Sequence, residues 1–568
     1  MADIGRAIFR LKAPSRSLFI FCLLVSSLAG AVERPSGEAV ASAHPLATEA
    51  GLMVLQAGGN AFDAAVAVSA ALAVVEPYGS GLGGGGFWLL HRARDGHQVM
   101  IDGRERAPFA AHPDMYLDER GEVVAGASID GPLAAGIPGT PAALAHIAEH
   151  FGRLPLSVSL RPAIILAADG FPVDRVYRRM AGFRLSALRD SAAAAAQFLL
   201  DGEVPPQGHR LRQPALAETL QRIARNGARG FYAGETGERL VTAVRADGGI
   251  WSRRDLRDYR VVERAPVVTR FGGYRLVGAN LPSSGGILLV QMFNMLTARP
   301  LDGLDEAGRI HLLVEVMRRA YADRARYLGD ADHVSVPVAR LLNRGYAQRL
   351  VQQIDPGRAT PSPVLSDPPA EGRDTTHFSV LDAAGNRVAA TLSVNYPFGS
   401  GFVAAGTGVL LNDEMDDFSA KPGSANAYGL IGNHANAIAP GKRMLSSMSP
   451  TFLESPDRVA ILGTPGGSRI ISMVLLGLLD AIDGRPVADW VARGRFHHQY
   501  MPDRVEVEPA ALGDEVLGAL RQKGHRIRQL DEPYGNMQAI SWDRVSGEVT
   551  AASDPRGIGR SVVVPVSR

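Results

Sequence analysis

Cysteine is nearly absent from this 568-residue chain, which contains only Cys22. A single thiol excludes a disulfide framework and a cysteine-ligated zinc site. An excess of one charge is lacking too, since 60 basic and 58 acidic residues leave a formal net charge of +2. That balance argues against a nucleic-acid-binding protein held by phosphate contacts. After the leader no apolar run reaches the roughly 18 residues of a membrane span, which excludes a polytopic membrane protein. The remaining composition, 46% hydrophobic and 21% charged, is typical of a folded globular chain.

Residues 1–31 have the pattern of an export signal. Basic residues precede a short apolar stretch, 18–28, and residues 29–31 offer the small-x-small pattern that a signal peptidase cleaves. The alternative is an uncleaved membrane anchor, but this stretch is too short to span about 30 Å of hydrocarbon. We therefore expect a signal peptide over 1–31, a periplasmic or secreted mature protein, and no membrane anchor after cleavage.

Local patterns predict several helices. Residues 45–56 have helical periodicity, and Asn60 is expected to cap a second helix that ends at Val75 and is buried because it lacks a polar face. The middle of the chain is predicted to consist mainly of helices and loops, with 215–226 and 305–328 among the helices. We interpret the many arginines of 305–328 as solvated surface without a chemical role.

A glycine cluster at residues 81–86 formally satisfies the GxGxxG pattern of dinucleotide-binding proteins. A predicted helix precedes it and an apolar strand, 87–90, follows it, which is the reverse of the order that the motif requires. No Gly-Lys-Ser/Thr follows, so a P-loop is excluded as well. We interpret the cluster as a backbone turn that lets another segment approach closely.

A proline-rich segment, 354–374, runs directly into a predicted β-hairpin with strands at 375–381 and 387–394. We expect the segment to be exposed and flexible. A threonine hydroxyl is a poor nucleophile, but if Thr375 became an N-terminus its own α-amino group, with a pKa near 7.7–8.0, could serve as the base. The alternative is that two threonines simply open a strand, where threonine is favoured.

Further motifs accompany the hairpin in a fixed order along the chain. They are Ala41-Ser42-Ala43-His44-Pro45-Leu46-Ala47, Asp102-Gly103-Arg104-Glu105-Arg106-Ala107-Pro108, the 412–422 stretch Asn-Asp-Glu-Met-Asp-Asp-Phe-Ser-Ala-Lys-Pro, Leu445-Ser446-Ser447-Met448-Ser449-Pro450 and Gly463-Thr464-Pro465-Gly466-Gly467-Ser468. With Thr375-Thr376-His377, these motifs resemble those of gamma-glutamyltransferases, and the resemblance covers about residues 35–568.

The resemblance implies an α+β fold, the four-layer αββα sandwich of N-terminal nucleophile hydrolases. It also implies self-cleavage between Asp374 and Thr375, giving a large subunit, 32–374, and a small catalytic subunit, 375–568, that remain associated as a heterodimer. Neither a metal nor a cofactor is expected. The implied activity is transfer of the γ-glutamyl group of glutathione, or of a related compound, to an amino acid, a dipeptide or water through a γ-glutamyl-threonine ester.

The resemblance also assigns roles to individual residues. Thr375 is the implied nucleophile, and the implied oxyanion hole consists of the backbone N–H groups of Gly466 and Gly467. The implied substrate-binding residues are Arg104, Ser446 and Ser447 for the α-carboxylate, Glu414, Asp417 and Asn395 for the α-ammonium group, Ser393 for steadying the nucleophile, and Tyr428 as a lid.

Two departures from the pattern and several alternatives stay open at the level of sequence. Ser393 stands where many relatives have threonine, and Tyr396-Pro397 replaces a more usual pair of small polar residues. Without the resemblance, Arg104 would be a surface partner of Glu105. His377 and His497-His498 are expected to pack in the core rather than to bind a metal. The alternative functions are a glutaryl or cephalosporin acylase of the same superfamily and a non-catalytic relative that only binds γ-glutamyl compounds.

Overall fold

The computed structural model describes residues 34–363 and 375–566. The predicted signal segment, 1–31, therefore lies outside the described residues, and so does Asp374, on the N-terminal side of the predicted cleavage point. No helix in the described ranges is both long and apolar enough to cross a membrane.

The described residues form α-helices and β-strands throughout. The helices are α1 (Pro45–Gln56), α2 (Ala61–Val75), α3 (Thr140–His150), α4 (Leu156–Asp169), α5 (Arg175–Phe183), α6 (Leu185–Asp190), α7 (Ala192–Phe198), α8 (Pro214–Asn226), α9 (Arg229–Tyr232), α10 (Gly234–Ala246), α11 (Arg253–Arg257), α12 (Gly285–Ala298), α13 (Glu306–Tyr327), α14 (Val338–Leu341), α15 (Arg344–Gln352), α16 (Ile470–Ile482), α17 (Val487–Ala492) and α18 (Asp514–Gln522). The strands are β1 (Gly37–Ser42), β2 (Gly85–Arg92), β3 (His97–Gly103), β4 (Phe171–Pro172), β5 (Arg210–Leu211), β6 (Val262–Arg264), β7 (Val267–Phe271), β8 (Tyr274–Gly278), β9 (Thr376–Leu381), β10 (Arg387–Ser393), β11 (Val403–Ala404), β12 (Val409–Leu410), β13 (Thr451–Glu454), β14 (Arg458–Gly463), β15 (Phe496–His497), β16 (Val505–Val507), β17 (Ile527–Gln529), β18 (Gln538–Asp543), β19 (Val549–Ser553) and β20 (Arg560–Pro565).

Two antiparallel sheets form the centre of the molecule. One has seven strands in the order β20-β1-β9-β10-β2-β3-β6, and the other has six in the order β19-β18-β14-β13-β8-β7. Strands from both sides of the predicted cleavage point are neighbours in each sheet. In the seven-stranded sheet, for example, β9 lies between β1 and β10.

Alternation along β9 shows how the layers stack. Phe378 and Val380 belong to the apolar cluster that surrounds α2, on the outer face of the seven-stranded sheet. Ser379, which points the other way, donates to the carbonyl of Ile461 in the six-stranded sheet (3.4 Å). Helices α12 and α16 cover the far face of the six-stranded sheet. The order helix, sheet, sheet, helix confirms the predicted αββα sandwich of the α+β class.

Several predicted elements are confirmed. The first helix begins at Pro45 and ends at Gln56 as expected. Asn60 caps α2 by accepting from the backbone N–H groups of Phe62 and Asp63, and every residue of α2 is buried. The glycine cluster does permit a close approach, since a Cβ on Gly83 would lie 1.9 Å from the carbonyl oxygen of Leu410.

One expectation is wrong, and two others hold for most but not all of the residues concerned. The arginines of α13 are not all solvated, because Arg318, Arg319 and Arg324 are only 4–8% exposed. The middle of the chain contains the strands β6 to β8, which the sequence patterns did not predict. In the part of the proline-rich segment that the structure describes, 354–363, Ser362 is buried and its N–H donates to Asp503 Oδ2 (2.9 Å).

Candidate active site

One small cavity brings together almost all the residues that the sequence assigned to the site. Its free volume is about 20 Å³, room for about one water molecule. The lining residues are Arg104, Thr375, Ser393, Asn395, Glu414, Asp417, Tyr428, Leu430, Ser446, Ser447, Met448, Gly467 and Ile470.

The sheet places the candidate nucleophile. Thr375 directly precedes β9, a strand in the middle of the seven-stranded sheet, and its side chain faces the end of the neighbouring strand β10. Its Oγ1 lies 3.3 Å from the hydroxyl of Ser393, which accepts from the backbone N–H of Asn395 (2.8 Å). The serine hydroxyl thus occupies the position from which a hydroxyl can steady the threonine.

The backbone of Thr375 is strained. Its φ of 144° lies in the region that favours glycine, and a β-branched side chain rarely adopts it. Such a conformation costs on the order of 1–3 kcal/mol and persists only where the surrounding fold imposes it. The strain therefore lies at the residue whose preceding peptide bond is predicted to break.

Arg104 is the charged centre of the cavity. It follows β3 and is only 1% exposed, so a role as a surface partner of Glu105 is excluded. Its Nη1 donates to Glu414, and its Nη2 donates to Asp417 Oδ2 at 2.5 Å. Both acceptors lie in one turn of 3-10 helix, Glu414–Asp417. The arginine is thus paired with two of the side chains predicted to bind the substrate's ammonium group.

Burial controls the protonation of these carboxyl groups. It raises the pKa of Glu414 to about 7, because the lowering effect of Arg104 only partly offsets the loss of solvent. The pKa of Glu105 is raised well above its usual range by burial and by the neighbouring Glu414. Neither oxygen of Glu105 accepts a hydrogen bond among the described residues. Burial thus disfavours the charged form of Glu105, while Arg104, whose Nη1 lies 3.5 Å from Glu105 Oε2, favours it.

The turn at Gly466 and Gly467 supplies unpaired backbone donors. The two glycines have φ values of 135° and 54°, and they lead into α16. Within the part of the chain that the structure describes, neither N–H donates a hydrogen bond. A Cβ on Gly467 would lie 2.4 Å from the ring of Tyr428, so glycine is required for the ring to cover this turn.

Tyr428 belongs to a loop that is linked to Asp417. Its hydroxyl donates to the carbonyl of Asn395 (2.7 Å). In the same loop, Asn426 accepts from the Tyr428 N–H (3.0 Å) and donates to Asp417 Oδ1 (3.1 Å). The position of the loop over the cavity is consistent with the predicted lid, and the loop contacts a residue of the charged cluster.

The sequence analysis missed one residue beside the cavity. Arg324 of α13 is 5% exposed, and it donates to the hydroxyls of Ser284 (3.1 Å) and Ser447 (3.3 Å). The helical period could have revealed it, since Arg324 follows the buried Tyr321 by three residues and Ala320 by four, which places it on the apolar face.

The histidines predicted to pack in the core do so. His377 is fully buried between the sheets and contacts Thr391 Oγ1 (2.8 Å). His497 and His498 are buried too, and burial lowers the pKa of His497 to about 3. Among the described residues no group of three potential metal ligands occurs.

Comparisons with known proteins agree with this geometry. A profile of the family described as Gamma-glutamyltranspeptidase matches residues 47–564. A glutathione hydrolase proenzyme from Pseudomonas sp. (strain A14) is 43% identical over 512 residues, which cover 88% of each chain. The crystal structure of a cephalosporin acylase from Bacillus halodurans is similar with a TM-score of 0.81 and 26% identity, covering 98% of this chain and 99% of that chain. A gamma-glutamyltranspeptidase structure from Helicobacter pylori is 40% identical with a TM-score of 0.55, covering 56% of this chain and 92% of that chain.

Proposed function

This chain belongs to the gamma-glutamyltranspeptidase family, and we propose that Thr375, freed by self-cleavage after Asp374, is its nucleophile. The chain is a gamma-glutamyltransferase with glutathione hydrolase activity. Under this proposal residues 32–374 form the large subunit and 375–568 the small one, after export has removed 1–31. The strained backbone of Thr375 at the edge of the charged cavity is the observation that carries the proposal.

The chemistry needs only groups of the protein. The Thr375 hydroxyl attacks the γ-carbonyl of the donor while the α-amino group of the same residue takes its proton. The N–H groups of Gly466 and Gly467 are placed to stabilise the oxyanion. Collapse expels the amine of the leaving group, which takes the proton and leaves a γ-glutamyl ester. An amino acid, a dipeptide or water then attacks the ester and restores the threonine.

Donor recognition is an exchange of ion pairs. In the structure Arg104 is paired with Asp417. The donor's α-carboxylate takes the guanidinium, for which its planar fork is suited, while the α-ammonium group takes Asp417 with help from Glu414 and Asn395. A zwitterion thus replaces an internal ion pair, and the number of buried charges left unpaired does not increase.

The same exchange favours a γ-glutamyl donor over the glutaryl donor of an acylase. In the structure Arg104 neutralises Asp417, so the buried carboxylate is not left unpaired. The cost arises only on binding, when a glutaryl carboxylate would take Arg104 and supply no ammonium group to Asp417. We expect γ-glutamyl-p-nitroanilide to be released at least about 100-fold faster than the glutaryl analogue. Equal rates would favour the acylase.

Self-cleavage is tested by examining the purified protein on a denaturing gel. We expect two fragments, the smaller beginning Thr-Thr-His-Phe on stepwise degradation. Thr375→Ala should remain a single chain without γ-glutamyl hydrolase activity, because it lacks the attacking hydroxyl.

Thr376→Val is the matched control for this substitution. It removes the neighbouring hydroxyl, which has no hydrogen-bond partner among the described residues, so processing and activity should persist. A processed and active Thr375→Ala protein, or a wild-type fragment that begins elsewhere, would overturn the assignment. Loss of processing only in Thr376→Val would do the same.

A further inference from the structure

Arg324 is a buried cation that the reaction scheme above does not use. It lies in the last turn of α13, and among the described residues its guanidinium forms no ion pair, although the charge of the nearby Asp417 favours its charged form. Leaving a buried guanidinium without a counter-ion is costly unless hydrogen bonds or a ligand compensate. Its two hydrogen bonds to serine hydroxyls are therefore the contacts that define its role.

Those hydrogen bonds converge on the Ser446-Ser447 segment. Arg324 Nε donates to Ser284 Oγ, which in turn donates to the carbonyl of Ser446 (2.7 Å). The Ser284 N–H donates to the same carbonyl (2.8 Å). Arg324 Nη2 donates to Ser447 Oγ itself. One side chain thus holds both the backbone and a hydroxyl of the segment assigned to the donor carboxylate.

The hydrogen bond to Ser447 fixes the direction of its hydroxyl. An oxygen that accepts from a guanidinium turns its own proton away from that cation. Within the described residues the Ser447 hydroxyl has no other partner, and Ser447 lines the active-site cavity. Its proton is therefore free to be donated into the cavity, as a bound carboxylate requires.

A second small void continues from the cavity towards Arg324. Arg324, Asp417 and Asn426 line it, and Asp417 also lines the cavity that contains Thr375. The guanidinium consequently adds positive charge on the side of the site where Ser447 lies. A carboxylate beside Ser447 would meet Arg104 and the field of Arg324 together.

We propose that Arg324 is a positioning residue for the donor: it holds the Ser447 hydroxyl as a hydrogen-bond donor aimed at the α-carboxylate of the γ-glutamyl group. This inference rests on the proposed function of the site. Arg324 acts through Ser447 and takes no part in the bond changes. It therefore affects donor binding and does not affect the rate of attack by Thr375.

A double-substitution cycle tests this role with γ-glutamyl-p-nitroanilide as the donor. We expect Arg324→Gln to raise KM about tenfold, as loss of one charge-assisted hydrogen bond implies, and to keep kcat within about threefold. Ser447→Ala should raise KM by a similar factor and should likewise change kcat little. The KM of the double variant should exceed that of the more impaired single variant by no more than about twofold, because both substitutions remove the same interaction. Arg326→Gln, on the exposed face of the same helix, is the matched control and should keep the wild-type KM.

The outcomes distinguish a failure of the role inferred for Arg324 from a failure of the proposed enzymatic function. Unprocessed or inactive wild-type protein would contradict the proposed function. Normal wild-type activity with multiplicative losses in the double variant, or with a fall in kcat alone, would overturn the role of Arg324. If Arg324→Gln fails to fold, the same cycle is run with Arg324→Lys, which keeps the charge but cannot reach both serines with a planar fork. Multiplicative losses there would equally overturn the inference.

Discussion

At the scale of the residue, the charged side chains proposed to bind the donor form ion pairs with one another. Arg104 is paired with both Glu414 and Asp417, and burial raises the pKa of the neighbouring Glu105. Burial raises the pKa of Glu414 to about 7, so its carboxyl group gains or loses a proton close to neutral pH. The pH profile therefore reports on this carboxyl as well as on the nucleophile's own amine.

Glu414→Gln should remove one ionisation from the acid side of the pH profile. Glu414 carries its charge above a pKa of about 7, so kcat/KM of the wild type should rise through that region as the carboxylate gains attraction for the donor's ammonium group. The α-amine of Thr375 adds a second rise near 7.7–8.0. In Glu414→Gln only the second should remain, as measured by kcat/KM between about pH 5 and 9.

An exposed carboxyl provides the comparison for that profile. Glu122 pairs with Lys421 at the surface, far more exposed than Glu414, so Glu122→Gln should retain both ionisations. Identical acid limbs in the wild type and in Glu414→Gln would show that Glu414 does not titrate in the free enzyme.

At the scale of the element, close approaches of backbone to backbone hold the site's scaffold together. The turn before β2 packs so tightly that a Cβ on Gly83 would contact the carbonyl of Leu410 at 1.9 Å, and one on Gly84 would contact that of Ser393 at 2.1 Å. Ser393 is also the hydroxyl partner of Thr375. The glycines thus set the distance between the turn and the strand end that supports the nucleophile.

Gly83→Ala should destabilise the protein, and Gly518→Ala should stabilise it. Gly83→Ala would force two backbone segments apart, which should lower the free energy of unfolding by about 3 kcal/mol. Unprocessed or insoluble protein should therefore accumulate. The second adds a methyl group to the middle of α18, where no atom lies within 4 Å, and should gain about 1 kcal/mol from helix propensity. Urea denaturation midpoints measure both effects; equal midpoints for the two variants would contradict the packing described for Gly83.

Local signals explain which elements could be predicted. The bounds of α1 and the cap of α2 follow from proline, asparagine and glycine at helix ends, where a few neighbouring residues decide the backbone. Strands β6 to β8 were missed because they are short and partly exposed, so their alternation is weak. In α13 the pattern identified the helix, and its period could also have placed Arg324 on the apolar face, but the serines that Arg324 contacts are distant in sequence.

The site could be predicted only in part for the same reason. Motif order identified the cavity residues, and the structure brings most of them together. No sequence pattern reports that Arg104 pairs with Asp417, 313 positions away. Such pairings depend on how the sheets stack, and they decide the electrostatics of the site.

At the scale of the whole molecule, the predicted cleavage point does not separate two structural units. Strands β1, β2, β3 and β6, which precede the predicted cleavage point, share a sheet with β9, β10 and β20, which follow it. In the other sheet, β7 and β8 continue into strands from beyond Thr375. Separating the subunits would break strand pairing in both sheets and expose the core between them.

The cleaved subunits should therefore stay together until the protein unfolds. Native mass spectrometry should report a single particle, while a denaturing gel of the same sample shows two chains. In a urea series, loss of that particle should coincide with loss of the circular dichroism signal. Separation in mild buffer, with both subunits still folded, would contradict the shared sheets.

The pairing of Gly37 with Pro565 has a consequence for engineering. Because these residues lie opposite each other on β1 and β20, a short linker could join residue 566 to residue 34 without crossing the molecule. A circular permutant built in this way would start at Thr375 and finish near residue 363. Once the initiator methionine that precedes Thr375 has been removed, the threonine would be N-terminal without self-cleavage, which would uncouple maturation from catalysis and allow each to be altered separately.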